Sequence, residues 1–212
     1  MAEAKTIETV EKVVKESKKR NFEESVDLAF NLKDVDLSNP KNRVELEVAL
    51  PKGRGKDVKV AVFGSAELAL KAKKVADLVI QPEELEDLAE NKRKARRIAN
   101  RYDFFIAEAP LMPMIGKRLG IVLGPRGKMP RPIPPGADPA PIVAGLKNTV
   151  RIRSRDRRTF HAPIGTKSMK VEDLAENVDE VVKRVMGTLE RGKLNLASVY
   201  VKTTMGPAVR LM

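Results

Sequence analysis

Apolar positions recur at two different spacings within the first 55 residues. Across residues 4–20 they stand at positions 7, 10, 13 and 14, the spacing of one face of a helix. Across residues 43–50 apolar and polar positions alternate, which is typical of a strand with one buried face. The stretch 25–32 is short and of mixed polarity, and we predict another strand there. Residues 51–56 then mark a flexible turn and the first candidate domain boundary.

Residues 56–109 follow a different pattern, in which short apolar runs alternate with helical segments. Strands are predicted at 58–63, 78–80 and 104–109, and helices at 65–75 and 82–101. Ser65 is the expected N-cap of the first helix, and Pro82 stands in the first turn of the second. Strands and helices that alternate at this spacing predict a parallel sheet covered on both faces.

The stretch 111–141 is rich in glycine and proline, and we predict a long loop there. The elements predicted after it are a helix-like stretch at 142–147, a strand-type segment at 150–161, an amphipathic helix at 171–189, a core strand at 196–202 and a loop at 203–207. The β-rich pieces thus stand at both ends of the chain. We expect residues 1–55 and 152–212 to pair as one α+β domain, with residues 56–151 inserted as an α/β domain.

Charge and composition point to RNA. The 212 residues carry 41 Lys and Arg against 29 Asp and Glu, a net charge of +12, and so basic a soluble chain is expected to bind polyanions. The absence of Cys and the single His exclude disulfides, thiolate metal sites, Cys nucleophiles and a His metal cluster within one chain. Without a signal peptide or a run of about 20 apolar residues, we expect a cytoplasmic protein with no membrane association.

Two basic segments are candidates for phosphate contacts. Residues 151–158 hold five Arg and one Asp; in a strand, positions 151, 153, 155 and 157 would line one face. That face could bind phosphates, or it could be a solvated or edge-strand face whose charges prevent aggregation. The Gly-rich stretch 117–130 lacks the Gly and the Ser or Thr of a nucleotide phosphate-binding loop, since Val122 and Met129 stand there. It could still receive polyanion phosphates through backbone N–H groups.

Nothing in the sequence gives positive evidence for catalysis. His161 has no local nucleophile or carboxylate partner, and a structural role between strand and turn is favoured for it. The runner-up hypothesis is a nucleotide-dependent enzyme built on the middle block. Only Gly64, and no G-x-G-x-x-G pattern, follows the predicted strand 58–63, which argues against it. A protein-only scaffold is the third alternative, and failure to bind RNA at low salt would favour it.

Met205 is an apolar residue in a loop of Thr, Gly and Pro at 203–207. It either packs into the core or is presented to a partner. The Thr hydroxyls and the Gly206 backbone suit the shallow minor groove of RNA, where 2′-OH groups are accessible to a protein surface that approaches closely.

Three segments of the sequence are specific enough to indicate a protein family: IGKRLGIVLGPRGKMPRP at 115–132, FHAPIG at 160–165 and SVYVKTTMGPAVR at 198–210. Together they resemble the ribosomal protein L1 family in its archaeal form, over nearly the whole chain. The resemblance implies a fold of mixed α/β and α+β class. Its first domain would be a split, ferredoxin-like α+β unit (1–55 and 152–212), and its second an inserted Rossmann-like α/β unit (56–151). It implies a structural, non-enzymatic protein that needs no cofactor or metal.

The implied partners are the large (50S) ribosomal subunit and three RNAs. Proteins of the family bind the mobile stalk of large-subunit rRNA, beside the exit site where deacylated tRNA leaves. They also bind a similar structure in their own mRNA and so repress translation. The inserted block is the more basic part of this chain, whereas the resemblance implies that the main rRNA contacts lie in the first domain. The inserted block is therefore free to meet phosphates of stalk RNA or exit-site tRNA.

The resemblance also implies which residues contact RNA. Matched motif by motif, they are Phe22, Glu24, Ser25, Arg43, Lys167, Ser198, Thr204, Met205 and Gly206. One position departs from bacterial relatives, which often have Lys directly after the Gly of HAP-x-G; Thr166 stands there, and Lys167 follows it. Several of the nine residues are uncharged or acidic. Shape and 2′-OH contacts should therefore supply specificity, while charge supplies attraction.

Overall fold

The computed structural model describes residues 3–212, which divide into two compact units. Unit 1 is formed by residues 3–56 and 148–212, so it is built from both ends of the chain. Unit 2 is formed by Asp57–Lys147. Within the described residues no helix combines the length and the apolar character needed to span a bilayer.

Helices and strands are numbered along the described chain. The strands are β1 (Ser25–Leu32), β2 (Glu45–Ala49), β3 (Val60–Phe63), β4 (Leu78–Ile80), β5 (Phe104–Glu108), β6 (Arg131–Ile133), β7 (Thr149–Arg153), β8 (Thr159–Thr166), β9 (Leu196–Thr203) and β10 (Ala208–Arg210). The helices are α1 (Ala4–Glu16), α2 (Ala66–Ala72), α3 (Pro82–Glu90), α4 (Lys92–Arg101), α5 (Met112–Leu123), α6 (Ala140–Lys147) and α7 (Val171–Thr188).

Unit 1 is built on a four-stranded antiparallel sheet in the order β10-β9-β1-β8, with β2 and β7 paired separately. Every second residue of β1 is buried, as its alternating pattern requires. Phe30 of β1 stacks on Phe160 of β8 with ring centroids 5.0 Å apart. The valines of α1 and α7 complete this core. The other face of the sheet, which carries Asp27 and Tyr200, remains partly exposed.

Unit 2 is built on a four-stranded parallel sheet in the order β4-β3-β5-β6. β3 and β5 are buried along their whole length, as expected for strands that are covered on both faces. On one face α3, α4 and α5 pack around Phe63 and Phe105. On the other face α2 and α6 pack around Val62 and Ile106. The predicted parallel sheet between two helical layers, and the mixed α/β character of the chain, are therefore confirmed.

The predicted helix at 82–101 is in fact two helices. α3 ends at Glu90 and α4 begins at Lys92, and the backbone of Asn91 between them is not helical. The Asn91 side-chain oxygen accepts a hydrogen bond from the Lys94 N–H at 3.1 Å, so it caps α4. Ser65 is the N-cap residue of α2, as predicted. Its side chain, however, makes no capping hydrogen bond.

The prediction of one long loop across 111–141 is wrong, because α5 and β6 lie within it. The residues at 115, 119, 122 and 123 are buried, at the i, i+4, i+7, i+8 spacing of a helix face. Gly116 and Gly120 obscured this pattern. A Cβ at either position would meet no other atom within 4 Å, so both glycines are compatible with an exposed helix face.

The Arg-rich segment is divided between β7 and the turn that follows it, so it does not present one continuous basic face. Arg151 and Arg153 do share a face of β7, and they form ion pairs with Glu47 and Glu45 of β2. Arg155 adopts a left-handed backbone conformation with φ of 52°, which interrupts the strand. Charge pairing between two strands therefore accounts for the first two arginines, and the predicted four-arginine ribbon is wrong.

Candidate nucleic-acid interface

Three segments of unit 1 meet at one end of its four-stranded sheet. β1 is antiparallel to β8 and β9, so its first residue lies beside their last residues. Ser25 is paired with Thr166, and its carbonyl oxygen accepts a hydrogen bond from the Thr204 N–H at 3.0 Å. The Lys167 N–H donates to the Glu24 carbonyl oxygen at 2.9 Å. We call Ser17 and residues 22–25, 166–168 and 203–206 the sheet-end cluster.

Glu24 is the buried centre of the sheet-end cluster, with only 2% of its surface exposed. Its carboxylate accepts hydrogen bonds from the Ser17 hydroxyl at 2.6 Å and from the Met205 N–H at 3.0 Å. The Nζ of Lys167 lies 4.0 Å from it. The Ser17 hydrogen bond, followed by those of Met205 and the charge of Lys167, lowers the pKa of Glu24 despite its burial. Glu24 is thus an anion that fixes the Met205 loop to the start of β1.

Lys167 connects the sheet-end cluster to the end of α1. Its Nζ donates to the Ser17 carbonyl oxygen at 2.9 Å and to the Ser17 hydroxyl at 2.8 Å. The ammonium therefore lies at the carboxyl end of a helix, where the helix dipole favours a cation. The Ser17 hydroxyl accepts from Lys167 and donates to Glu24, so it relays one polar network across all three segments.

Thr204 and Ser25 form the exposed edge of the cluster. The Thr204 hydroxyl accepts a hydrogen bond from the Ser25 N–H at 3.1 Å and donates to the Ser25 carbonyl oxygen at 3.3 Å. The Ser25 hydroxyl accepts from the Nζ of Lys56 at 2.6 Å. A hydroxyl oxygen has two lone pairs, so each of these oxygens keeps one lone pair for a further donor. The Ser25 hydroxyl also retains its own proton to donate.

Two large apolar side chains project from this fixed backbone. Met205 is 60% exposed and Phe22 is 53% exposed, so Met205 does not pack into the core. Gly206 follows Met205, and a Cβ at that position would clash with the Thr203 hydroxyl. Thr203 is buried, and within the described chain its hydroxyl has no hydrogen-bond partner. Packing inside the loop, in addition to any approach of RNA, therefore favours glycine at 206.

Comparison with known proteins identifies the family of this chain. The sequence model of the Ribosomal protein L1p/L10e family matches residues 14–207. The chain belongs to this family. It is 58% identical over 202 residues to the large ribosomal subunit protein uL1 of Thermoplasma acidophilum, which covers 95% of this chain and 93% of that protein. It is 54% identical over 213 aligned positions to uL1 of Methanocella arvoryzae (100% of both chains) and 54% identical over 209 to uL1 of Archaeoglobus fulgidus (98% and 97%).

Most of the contact residues that the L1 family resemblance predicts lie in the sheet-end cluster. They are Phe22, Glu24, Ser25, Lys167, Thr204, Met205 and Gly206. Ser198 lies instead on the partly exposed face of β9, six residues or about 20 Å before Thr204 along the strand. Its hydroxyl accepts from the Asn31 amide at 2.8 Å. Arg43 lies between β1 and β2, where its Nε donates to the Leu37 carbonyl oxygen at 3.0 Å.

Several residues in or beside the cluster were not predicted for this L1-family chain. Ser17 binds Lys167, which is 150 residues away in the sequence. Lys56 binds Ser25, which is 31 residues away. The Ser168 hydroxyl donates to Glu23, and this hydrogen bond, with one from Thr166, lowers the pKa of Glu23. No local sequence pattern signals such contacts. Only the pairing of β1 with β8 and β9 brings these residues together.

Unit 2 holds a carboxylate where a Rossmann-type fold would bind a nucleotide phosphate. Ser65 connects β3 to α2, and its N–H and hydroxyl donate to Glu108 at 3.1 Å and 2.8 Å. Glu108 ends β5 and is buried. An anion at this helix start occupies the donors that a phosphate would need. This arrangement disfavours the nucleotide-dependent enzyme that was the runner-up hypothesis.

The proposed phosphate-binding role of the Gly-rich stretch also needs correction. The N–H groups of residues 124, 127 and 128 donate to carbonyl oxygens at the end of α5 and in the following turn, at 2.8–3.0 Å. The Nζ of Lys128 donates to the carbonyl oxygens of Ala99 and Tyr102 at 2.9 Å and 2.7 Å. These groups therefore hold the turn against the end of α4 and are not arranged as a cradle for phosphates.

Proposed function

We propose that this chain is a component of the large ribosomal subunit that binds the stalk of large-subunit rRNA through the sheet-end cluster. One observation carries the proposal. Residues that the family resemblance predicts as RNA contacts, drawn from distant parts of the sequence, lie in one hydrogen-bonded cluster that presents Phe22 and Met205 to solvent. The names of the relatives, large ribosomal subunit protein uL1, support the ribosomal assignment.

The chemistry of the cluster suits recognition by shape and 2′-OH contacts. Phe22 and Met205 offer apolar surface to exposed bases and riboses. Ser25 and Thr204 offer hydroxyl oxygens to 2′-OH groups. Glu24 positions Met205 and does not itself meet RNA, because its carboxylate is buried and engaged. Lys167 neutralises Glu24 and so limits its repulsion of phosphates.

The same surface is proposed to serve two further RNA-linked roles in the cytoplasm. At the stalk, the protein would assist the release of deacylated tRNA from the exit site. Protein in excess of rRNA would bind a similar structure in its own mRNA and repress translation. Because one surface would bind both RNAs, the stalk rRNA and the mRNA element should compete for the protein.

We further propose that unit 1 is the discontinuous, ferredoxin-like RNA-binding domain and that unit 2 is the inserted Rossmann-like domain. Two features support this assignment. The four-stranded sheet of unit 1 has helices against one face, whereas the other face is partly exposed. Unit 2 alternates parallel strands with helices that cover both faces of the sheet.

Met205→Asp tests the proposed site. A carboxylate at this exposed position should weaken binding of a transcribed stalk rRNA fragment by about tenfold or more, because it repels phosphates and removes apolar contact. Leu194→Asp is the matched control, since Leu194 is also an apolar residue of unit 1 and is 69% exposed. Filter binding and thermal unfolding should show normal stability for both variants and normal affinity for the control. Equal affinities of the two variants would refute the site.

A further inference from the structure

α4 of unit 2 has an unusual concentration of positive charge. Six of its ten residues are Lys or Arg and none is acidic. All six side chains are exposed: Lys92, Arg93, Lys94, Arg96, Arg97 and Arg101. Ala95 and Ala99 form the buried side of the helix. Arg93 and Arg97 are one turn apart on the opposite side, between Arg96 and Arg101.

Among the described residues, no carboxylate forms an ion pair with a cation of α4. This includes the five carboxylates of α3, which directly precedes α4. The ion pair that α3 does form joins Glu86 to Arg118 of α5 at 3.8 Å. The basic side of α4 is therefore directed to solvent.

This arrangement is unfavourable for the helix. Lys92, Arg93 and Lys94 lie in the first turn, where the positive end of the helix dipole repels cations and where no acidic residue compensates. Arg93 and Arg97 are like charges at i, i+4 spacing, as are Arg97 and Arg101, and such pairs destabilise a helix. A bound polyanion would offset both repulsions.

Arg126 extends the basic surface beyond α4. Its Nε donates to the Asn100 side-chain oxygen at 3.1 Å, and one terminal nitrogen donates to the Val122 carbonyl oxygen at 3.0 Å. Asn100 lies on the exposed side of α4. A guanidinium has five N–H donors, so three remain available to a ligand, and their position is fixed before the ligand arrives.

We propose that the exposed side of α4, together with Arg126, is a second RNA-binding surface that holds the phosphate backbone of duplex RNA without reading its sequence. Four of the six cations of α4 are Arg, whose planar fork suits phosphate oxygens. The exposed residues of α4 include no aromatic or aliphatic anchor of the kind that a protein interface needs. These two features favour RNA over an acidic protein. The surface belongs to unit 2 and does not depend on the sheet-end cluster.

The test compares two triple variants of the full chain. Arg93→Gln/Arg96→Gln/Arg97→Gln removes three charges from the proposed surface. Lys73→Gln/Lys74→Gln/Lys147→Gln removes three exposed charges in or beside α2 and α6, on the other face of the sheet. Affinity for a short RNA duplex of arbitrary sequence is measured between about 50 and 200 mM salt. The α4 variant should lower the slope of log K against log salt by up to about 2.7, since three arginines are lost at about 0.9 per phosphate contact, and the control should leave the slope unchanged.

Further measurements distinguish RNA binding by α4 from the alternatives. Equal losses of affinity in both triple variants would show that only net charge matters and would overturn the proposal. If polyglutamate competes for the protein as well as duplex RNA does, the ligand of this surface is an acidic protein and not RNA. Thermal unfolding should show that the α4 variant is at least as stable as the wild type, because repulsion is removed. If the α4 variant is less stable than the wild type, Arg93→Lys/Arg96→Lys/Arg97→Lys is tested instead, because it keeps the charge. The proposal then requires that this lysine variant binds the duplex more weakly than the wild type while its stability is normal. Met205→Asp should bind the duplex normally, which separates this surface from the stalk site.

Discussion

Glycine is favoured at position 206 for two separate reasons. An added methyl group would clash with the Thr203 hydroxyl inside the loop, whereas the L1 family resemblance predicts a direct RNA contact at this residue. The two effects can be separated, because the severe internal clash involves Thr203 alone. Removal of the Thr203 hydroxyl creates the space that a methyl group at 206 needs.

We expect Gly206→Ala to cost about 1–3 kcal/mol of folding free energy through overpacking. In the Thr203→Ala background the same change should cost much less, and unfolding of all four proteins measures this coupling. Additive costs would contradict the clash. If the stable double variant still binds the stalk fragment poorly, the methyl group obstructs RNA itself. Recovery of affinity along with stability would assign Gly206 to the loop alone.

Glu24 couples stability to pH. Its pKa is lowered in the folded protein, so its stabilising effect is fully present above the unfolded-state pKa of about 4.3 and is lost as the pH falls through the folded-state value. Glu24→Gln should cost about 1–3 kcal/mol at neutral pH, because Lys167 and Ser17 lose a charged partner. The difference in unfolding free energy between wild type and Glu24→Gln should narrow below about pH 4.3. Glu8→Gln, at an exposed position of α1, is the control and should show no narrowing.

The sequence could identify residues of the cluster but not their roles. The motifs that resemble the L1 family mark Glu24 and Met205 as RNA contacts. They do not show that the Glu24 carboxylate is buried and bonded to residues 7 and 181 positions away. Ser17 carries no motif at all, because its contribution depends on where α1 ends relative to β1 and β8.

At the level of elements, some strands were predicted well, but the strand predicted at 150–161 is in fact β7, a turn and the start of β8. β1 and β4 have the predicted bounds, although the β1 stretch is of mixed polarity. α5 was missed because its exposed glycines resembled a loop. α3 and α4 were merged because acidic residues followed by basic ones resemble one helix with a compensated dipole. Only the side-chain geometry of Asn91 reveals two helices, the second of which begins with uncompensated cations.

Asn91 should therefore contribute to the stability of unit 2. Asn91→Ala removes the hydrogen bond to the Lys94 N–H and should cost about 1 kcal/mol in urea unfolding. Asn91→Asp should equal or exceed the wild type, because it keeps the cap and adds a negative charge beside the basic first turn. Gln81→Ala is the control: Gln81 precedes α3 without a side-chain capping bond, so its loss should change little. An Asn91→Ala protein as stable as the Gln81→Ala protein would contradict the capping role.

At the scale of the whole molecule, the chain leaves and re-enters unit 1 at neighbouring backbone positions. Ala49 of β2 is paired with Thr149 of β7, and the Leu50 N–H donates to the Asn148 carbonyl oxygen at 2.9 Å. The hydrophobic core of unit 1 is made only of residues from unit 1. The order of elements along the sequence is the basis for predicting an insertion. The closure of unit 1 by β2 and β7 was not predictable, because it joins residues about a hundred positions apart.

Replacement of residues 57–147 by a short Gly-Ser linker tests this independence. The shortened protein should unfold cooperatively, because its core is complete and its two ends are already paired. It should keep most of its affinity for the stalk fragment at low salt, since the sheet-end cluster lies wholly in unit 1. Its affinity should depend less steeply on salt than that of the full chain, because the cations of α4 are absent. Met205→Asp in the shortened protein should again weaken binding. A cooperatively folded product that does not bind would mean that the main RNA site is not in unit 1, and a product without cooperative unfolding would mean that unit 1 needs unit 2 to fold.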